Sequence, residues 1–330
     1  MATLGTGKYT LIDQATRTDE SGKTQHIVEL LSETNDILRD MFWKEGNLAS
    51  GERVTIRTGL PIVCWRNLNS HTPSSSSQTA QIEVACKQID HWQQEDADLM
   101  ELGGDVKAAR MSESAAGFEA VGQAQATNIF YGNTDTDPTK YSGLNVSYGS
   151  LSAENARNVI SGGGSGSDNS SIYAITWGPR KIYGIFPKGS KAGLQHTDLG
   201  KVVSETSSGN MEVYKERFKW DAGLVIADWR YAVRICNIDF SALTSDASAG
   251  ANLIELMMDA KTKLKNVISG STYFYMNSDL QSFLDRQAQA GVSAGGGLTY
   301  QNVAGKQMTM FAGIPVRRCD AITNTEATVS

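Results

Sequence analysis

The feature that most constrains the fold is a pair of alternating segments separated by a serine-rich stretch. Glu52–Leu68 carries Val54 and Ile56 at alternate positions, and residues 81–87 alternate polar and apolar residues in the same way. This alternation is typical of strands with one apolar face. The stretch 70–77 between them is rich in serine. The sequence therefore predicts a β-hairpin over residues 51–94 with a polar tip and arms of about 13 residues, each extending about 40 Å.

A hairpin of this length needs a cover for its apolar face. A lone two-stranded ribbon is marginally stable in water, and burying four or five of its apolar side chains stabilises by roughly 6–12 kcal/mol. The cover is either the chain's own core or a neighbouring subunit. The length of the ribbon and its serine-rich tip favour the neighbour.

Composition argues against direct nucleic-acid binding. The chain has 30 Lys+Arg against 36 Asp+Glu, a formal net charge of −6. Binding nucleic acid requires clustered cations that displace counterions. Residues 1–45 form no basic arm, because their carboxylates outnumber their cations.

The cysteines and the N-terminus indicate a reduced protein without a membrane segment. Cys64, Cys86, Cys236 and Cys319 are widely separated and form no CxxC pair, which favours free thiols. A disulfide between Cys64 and Cys86 across the hairpin is the alternative. Histidines do not fall at metal-ligand spacing, so no metal or cofactor is expected. Residues 1–8 lack the apolar region of a signal peptide, and no apolar run reaches membrane-spanning length.

Outside the hairpin the pattern predicts a mixed α+β chain. Predicted helices cover 25–43, 106–131, 251–268 and 279–290, with a short one starting near Ser152. Predicted strands fall within 172–186, in two or three segments of 211–240, and at 272–276, 307–311 and 314–316.

Catalytic motifs are not found. The glycine-rich run 162–166 lacks the Lys-Ser/Thr of a phosphate loop and precedes a predicted strand. No G-x-S-x-G or H-E-x-x-H motif occurs. His91 and Trp92, after the second alternating segment, suit either an intersubunit contact or packing within the subunit. The sequence therefore predicts a protein that is not an enzyme.

Several short motifs occur in an order that resembles a known family. They are Thr34–Leu38, Gly46-Asn47, Arg57–Pro61, Trp65–Asn69, Tyr141–Leu144, Trp229–Arg234, Asn237–Asp239, Phe311–Val316 and Cys319-Asp320. Together they resemble the major capsid proteins of tailed phages with the Hong Kong 97-like fold, in particular the GP7-like proteins of short-tailed phages. Each motif is weak alone, and their shared order covers most of the chain.

The resemblance implies how the chain is divided into structural parts. The chain would have an N-terminal arm at 1–50, an extended hairpin (E-loop) at 51–94, and an axial A-domain at 145–200 and 250–300. A P-domain comprises 95–144, 201–249 and 301–330, with a spine helix at 106–131. Some relatives cross-link a Lys to an Asn; Lys87 and Asn69 match by residue type only, and no such bond is predicted.

The resemblance also implies a mechanical function. Copies of the subunit would close into pentamers and hexamers and tile an icosahedral shell around packaged double-stranded DNA, without sequence-specific binding. Expected partners are the chain itself, a scaffold, a portal and decoration proteins, with assembly in the cytoplasm of a bacterial host and residence in the virion capsid. The candidate intersubunit contacts are Val54, Ile56, Trp65, Arg66, Ile82, Val84, His91 and Trp92.

Two other functions compete with a capsid. An encapsulin-like shell would share the fold but needs a groove for cargo peptides. A soluble β-rich hydrolase would need a convergent polar pocket and would be a monomer or small oligomer. Large particles formed by the purified chain would separate both shell functions from the hydrolase.

Overall fold

The computed structural model describes residues 32–102, 105–206, 209–245, 250–267, 271–290, 298–303 and 306–330. The strands are β1 (Trp43–Glu45), β2 (Gly51–Gly59), β3 (Gln78–Ala85), β4 (Lys87–Asp96), β5 (Val159–Ser161), β6 (Asn169–Thr176), β7 (Ile182–Phe186), β8 (Gln195–Thr206), β9 (Gly209–Ile226), β10 (Ala232–Asp239), β11 (Thr272–Met276), β12 (Leu298–Val303), β13 (Lys306–Phe311) and β14 (Ile314–Arg318). The helices are α1 (Ile37–Asp40), α2 (Ala97–Leu102), α3 (Val106–Tyr131), α4 (Leu144–Ser147), α5 (Phe240–Ser245), α6 (Leu253–Lys263) and α7 (Ser278–Ala290).

The hairpin is a separate two-stranded sheet, shorter than predicted. Strands β2 and β3 pair antiparallel, with Val54 opposite Ile82 and Arg53 opposite Glu83. The predicted hairpin extended to residue 94, but β4 pairs with β9 in another sheet. At the base of the ribbon the Cys86 amide donates to the Ser50 carbonyl, 2.8 Å away, and the chain then continues into β4.

A five-stranded sheet lies against the long helix α3. Its order is β1-β7-β9-β4. Strand β8 pairs with residues 209–219 of β9, before the segment of β9 that pairs with β7. The helix occupies the predicted residues 106–131, so that prediction is confirmed. The Asp105 side chain accepts from the Ala108 amide at 3.1 Å and begins the helix. Gly117 allows the helix to approach the sheet closely, because a Cβ there would lie 3.2 Å from the Phe218 ring.

A seven-stranded sheet forms the second large core. Its order is β12-β13-β14-β11-β6-β10-β5. All eight residues of β6 are buried, and helices α6 and α7 contribute Leu253, Met257 and Leu284 to the core beside Phe274. The predicted division of the chain placed 201–249 and 301–330 with the spine helix. Of the strands in these two ranges, β10, β13 and β14 pair in this sheet and β9 pairs in the five-stranded sheet.

The C-terminal segment is tied to both cores by a buried ion pair. Glu326 accepts from Arg234 at 2.8 Å, and the two side chains are almost fully buried. The Tyr131 hydroxyl at the end of α3 donates to the same carboxylate, and Arg234 also donates to the Tyr148 carbonyl at 3.0 Å. Charged groups are rarely buried unless paired in this way. This network therefore fastens the chain end to α3 and to β10.

The remaining predictions have mixed outcomes. The strand at Thr272–Met276 and helix α7 are confirmed. Strands β8 and β12 were not predicted. In place of the short helix near Ser152 there is one 3-10 turn at Ala156–Asn158. Among the described residues, no helix is long and apolar enough to cross a membrane.

The predicted first helix, 25–43, lies partly outside the described residues. Of its described part only α1 is helical, and β1 begins at Trp43. Tertiary contacts oppose helix formation before α1, because Asn35 bridges to Cys319 and its side chain accepts from the Ala321 amide at 3.0 Å. The segment is therefore held against the C-terminal part of the chain.

Candidate intersubunit surface

The base of the hairpin packs on the subunit itself. Val54 and Val84, which share one face of the ribbon, contact a small core formed by Tyr183, Ile185 and Val225. The sequence left open whether the chain's own core or a neighbouring subunit covers this face, and favoured the neighbour. At the base of the ribbon the subunit's own five-stranded sheet covers Val54 and Val84.

An ion pair fixes the base in place. Lys44 of β1 lies 2.5 Å from the buried carboxylate of Glu52 on β2. The Tyr183 hydroxyl donates to the same carboxylate at 3.1 Å. Burial, together with the nearby carboxylates of Asp221 and Glu52, raises the pKa of the neighbouring Cys86 thiol to about 11. Cys86 is therefore a neutral packing residue at neutral pH, and both it and the exposed Cys64 are free thiols.

The two faces of the ribbon differ in polarity. On the outer face Arg53 and Glu83 form an ion pair of 2.9 Å, with both side chains half exposed. On the apolar face Ile56 is partly buried, whereas Ile82 is 43% exposed. The predicted alternation is therefore present, and the subunit covers β2 better than β3.

The tip is the most apolar exposed segment among the described residues. It comprises residues 60–77, and its first half carries large side chains with almost no cover. They are Leu60 (79% exposed), Ile62 (73%), Val63 (90%), Trp65 (102%) and Leu68 (92%). Soluble monomers rarely expose a contiguous apolar patch of this kind, and such patches mark interaction sites. The serine-rich half is polar as predicted. Residues 60–68, which the sequence analysis placed in the first arm of the hairpin, form no strand and belong to the tip instead.

His91 and Trp92 are not part of the hairpin. They lie on β4 and point to opposite faces of the five-stranded sheet. His91 stacks on Phe218 beneath α3, with ring centroids 5.9 Å apart. Trp92 is flanked by Lys215 and Arg217, whose cationic groups lie 4.8 and 4.9 Å from its ring centroid. Both residues thus have partners within the subunit, away from the tip.

A buried carboxylate that the sequence did not reveal ties α3 to the sheet. Glu216 of β9 accepts from Arg110 at 2.5 Å and from Ser114 at 2.6 Å, both on the helix. His196 of β8 lies 2.8 Å from the same carboxylate. Ser114 and His196 both bind Glu216 rather than each other, which is not the geometry of a nucleophile and its base. Within the described ranges, no cluster of His, Cys, Asp or Glu is arranged to hold a metal ion.

Comparison with known proteins identifies the family. A family model described as "Major capsid protein GP7" matches residues 19–330. The chain belongs to this family. No curated protein matches it. A chain in a solved structure of bacteriophage Epsilon15 is 32% identical, covers 100% of this chain and 99% of its own length, and superposes with a TM-score of 0.76.

The comparison also finds more distant solved structures. A chain of Microbacterium phage Oxtober96 is 10% identical and covers 68% of this chain and 98% of its own, with a TM-score of 0.46. The SrpI encapsulin of Synechococcus elongatus is 7% identical and covers 72% and 96%, with a TM-score of 0.44. Scores this low do not distinguish one function from another.

The GP7-family chain therefore has the Hong Kong 97-like capsid fold and is a major capsid protein of a phage. Capsid proteins are structural and associate with copies of themselves, so its location is the virion capsid. Among the residues that the structure describes, the exposed tip of the hairpin is the surface whose chemistry most requires a partner.

Proposed function

We propose that this protein is the repeating subunit of an icosahedral shell, that it closes into pentamers and hexamers, and that the shell encloses packaged double-stranded DNA. The observation that carries the proposal is the apolar tip, held away from the body on a ribbon rooted at Lys44 and Glu52. A patch of this size is costly in water and is stabilised when a neighbouring copy covers it.

The ribbon can link consecutive subunits of a ring. The ribbon is fastened at its base and apolar at its far end, so its two ends offer different surfaces. When one surface of a subunit binds a different surface of the next, the contact is heterologous and closes by rotation into a ring. We therefore assign the ribbon the role of a strap between consecutive subunits of a ring.

The same proposal divides the chain into functional parts. The hairpin with its tip, 51–85, is the extended loop. The five-stranded sheet with α3 forms the P-domain, and the seven-stranded sheet with α6 and α7 forms the A-domain. The topology supports this division, because each sheet has its own continuous strand order.

Other partners follow from the role of a shell. We expect a scaffold protein and a portal during assembly in the bacterial cytoplasm, and decoration proteins on the finished particle. The net charge of −6 is consistent with a capsid shell that encloses DNA without binding it tightly. The role requires neither catalysis nor a cofactor.

Light scattering with negative-stain electron microscopy of the purified chain tests the proposal, with and without its co-expressed scaffold. We expect closed shells or rings of five and six subunits. A monodisperse species of one or two subunits at high concentration, under both conditions, would contradict the proposal.

A further inference from the structure

The long helix α3 leaves one apolar face uncovered in its first half. Met111 is 76% exposed and Phe118 is 42% exposed, although both side chains are large and apolar. They share one side of the helix with small residues at steps of three and four, namely Ala108, Ala115 and Gly122. Among the described residues, no atom lies within 4 Å of the position that a Cβ would take at Gly122. A second helix therefore has room to pack along this face.

The same side of α3 is buried in its second half. Ala126 and Ile129 continue the steps of three and four and are fully buried. They share a core with Ile37 of α1, and α1 packs against α3. The N-terminal part of the same chain therefore helps to cover this side of the helix in its second half.

The chain reaches α3 close to the point where the cover ends. The described part of the chain begins at residue 32, and the Glu33 amide donates to the Glu119 carboxylate on α3 at 2.9 Å. Glu119 directly follows Phe118, one of the two large residues of the open face. Chain connectivity therefore brings the residues just before Glu33 close to that face.

Residues 25–31 match the open face in polarity and in length. Their apolar side chains recur at helical spacing, which predicts an amphipathic helix. These side chains are Ile27, Leu30 and Leu31. Seven helical residues extend about 10 Å, and the stretch of α3 from Glu119 back to Met111 is about 12 Å long, at about 1.5 Å per residue. A helix that runs back from Glu33 therefore spans most of the open face.

We propose that residues 25–31 pack along the open face of α3 in the same subunit, antiparallel to the helix, with their apolar side chains against Met111 and Phe118. Burying these side chains stabilises the packed segment. A segment tethered beside Glu119 meets this face at a far higher effective concentration than a segment of another molecule does. The contact lies within one subunit and adds to the proposed shell function an internal attachment of the N-terminal segment.

Thiol labelling of the unassembled subunit tests the packing. Met111→Cys is introduced together with Cys64→Ser, which removes an exposed native thiol, and the rate of its reaction with a maleimide is measured. The Cys64→Ser chain without an added thiol gives the baseline. Ala116→Cys is the matched control, because Ala116 is also exposed and lies about 140° around the helix from Met111.

The expected result is that Met111→Cys reacts at least about tenfold more slowly than Ala116→Cys, at every protein concentration, because the packed segment shields it. Ile27→Asp with Leu31→Asp opposes burial of the segment. This pair of substitutions should restore rapid reaction of Met111→Cys and leave the rate of Ala116→Cys unchanged. Far-UV circular dichroism checks that the subunit remains folded, and if it does not, Ile27→Ser with Leu31→Ser replaces the aspartate pair.

Two results would overturn the packing. One is an equal rate for Met111→Cys and Ala116→Cys, or slow reaction of Met111→Cys that the substitutions at Ile27 and Leu31 do not reverse. The other is protection that increases with protein concentration, which would assign the open face to a second copy of the chain. Because the labelling uses the unassembled subunit, its outcome is independent of whether particles form, and failure of the shell function would be seen separately.

Discussion

Strands β6 and β3 are equally long and have opposite surroundings. All eight residues of β6 are buried between β10 and β11. Seven of the eight residues of β3 are exposed, and β3 pairs only with β2. We infer that the large sheet stabilises the isolated subunit and, on the proposed function, that most of the ribbon gains its stabilising contacts in the assembly. Substitutions in the two regions should therefore affect different measurements.

The largest expected effect on the stability of the subunit comes from breaking the buried ion pair between Arg234 and Glu326. Arg234→Met leaves the Glu326 carboxylate buried without its cation and also removes a hydrogen bond to Ser171. Breaking a buried pair by removing one partner typically costs about 3–5 kcal/mol. We expect a loss of that size in the free energy of unfolding of the unassembled subunit, measured by urea denaturation.

The matched control is the exposed pair on the ribbon. Arg53→Met removes an ion pair to Glu83 in which both side chains are half exposed, and such pairs contribute about 0–1 kcal/mol. Equal losses for Arg234→Met and Arg53→Met would show that the buried network does not stabilise the subunit as inferred.

Truncating an isoleucine in each region sharpens the comparison. Ile172 on β6 is fully buried, whereas Ile82 on β3 is 43% exposed. Ile172→Ala should cost about 2–5 kcal/mol of subunit stability because it leaves a cavity. Ile82→Ala should change subunit stability by less than about 0.5 kcal/mol and should weaken assembly, measured as the concentration at which particles first form. An Ile82→Ala subunit as unstable as Ile172→Ala would show that the ribbon is part of the folding core.

Trp65→Ala tests the tip alone. Buried aromatic residues at the centre of an interface typically contribute about 2 kcal/mol or more to binding, which corresponds to a change of roughly 30-fold in affinity. We expect the concentration at which particles first form to rise by at least about 30-fold. The thermal unfolding temperature of the free subunit should not change. His71→Ala, in the polar half of the tip, is the control and should assemble normally.

The smallest effect concerns acid stability at Asp228. Burial raises the pKa of this carboxyl, but hydrogen bonds from Arg230 and Lys265 outweigh burial and lower the pKa from 3.8 to about 2. A lowered pKa stabilises the fold above the unfolded-state pKa, and this contribution is lost as the pH falls towards 2. Between pH 5 and pH 2.5, Asp228→Asn should therefore lose less stability than the native chain in urea titrations. Identical pH profiles would contradict this role.

Local sequence patterns predicted several elements well. Helix α3 matches its predicted bounds because small and apolar residues recur at helical spacing and Gly132 ends it. Strand β11 is likewise a short apolar segment with clear boundaries. The hairpin was predicted from the alternation of polar and apolar residues. In the structure the apolar residues Val54 and Ile82 lie opposite each other on the two strands.

The rest depends on contacts between distant parts of the chain. The partner of β4 is β9, more than a hundred residues later, and alternation within β4 does not reveal it. Glu216 and Glu326 are ordinary acidic residues in the sequence, and their burial becomes evident only when α3 and the C-terminal segment pack around them. The apolar side chains of Leu60–Leu68 were visible in the sequence, but this segment was assigned to the first arm of the hairpin rather than to its tip.

The central claim is that the ribbon carries surface that only a neighbouring subunit covers. A cryo-electron microscopy reconstruction of the assembled particle measures this directly at Trp65, which is fully exposed in the subunit. The account predicts a closed shell in which the Trp65 ring is buried against another subunit. A shell in which Trp65 remains exposed to solvent, or contacts only its own chain, would contradict it.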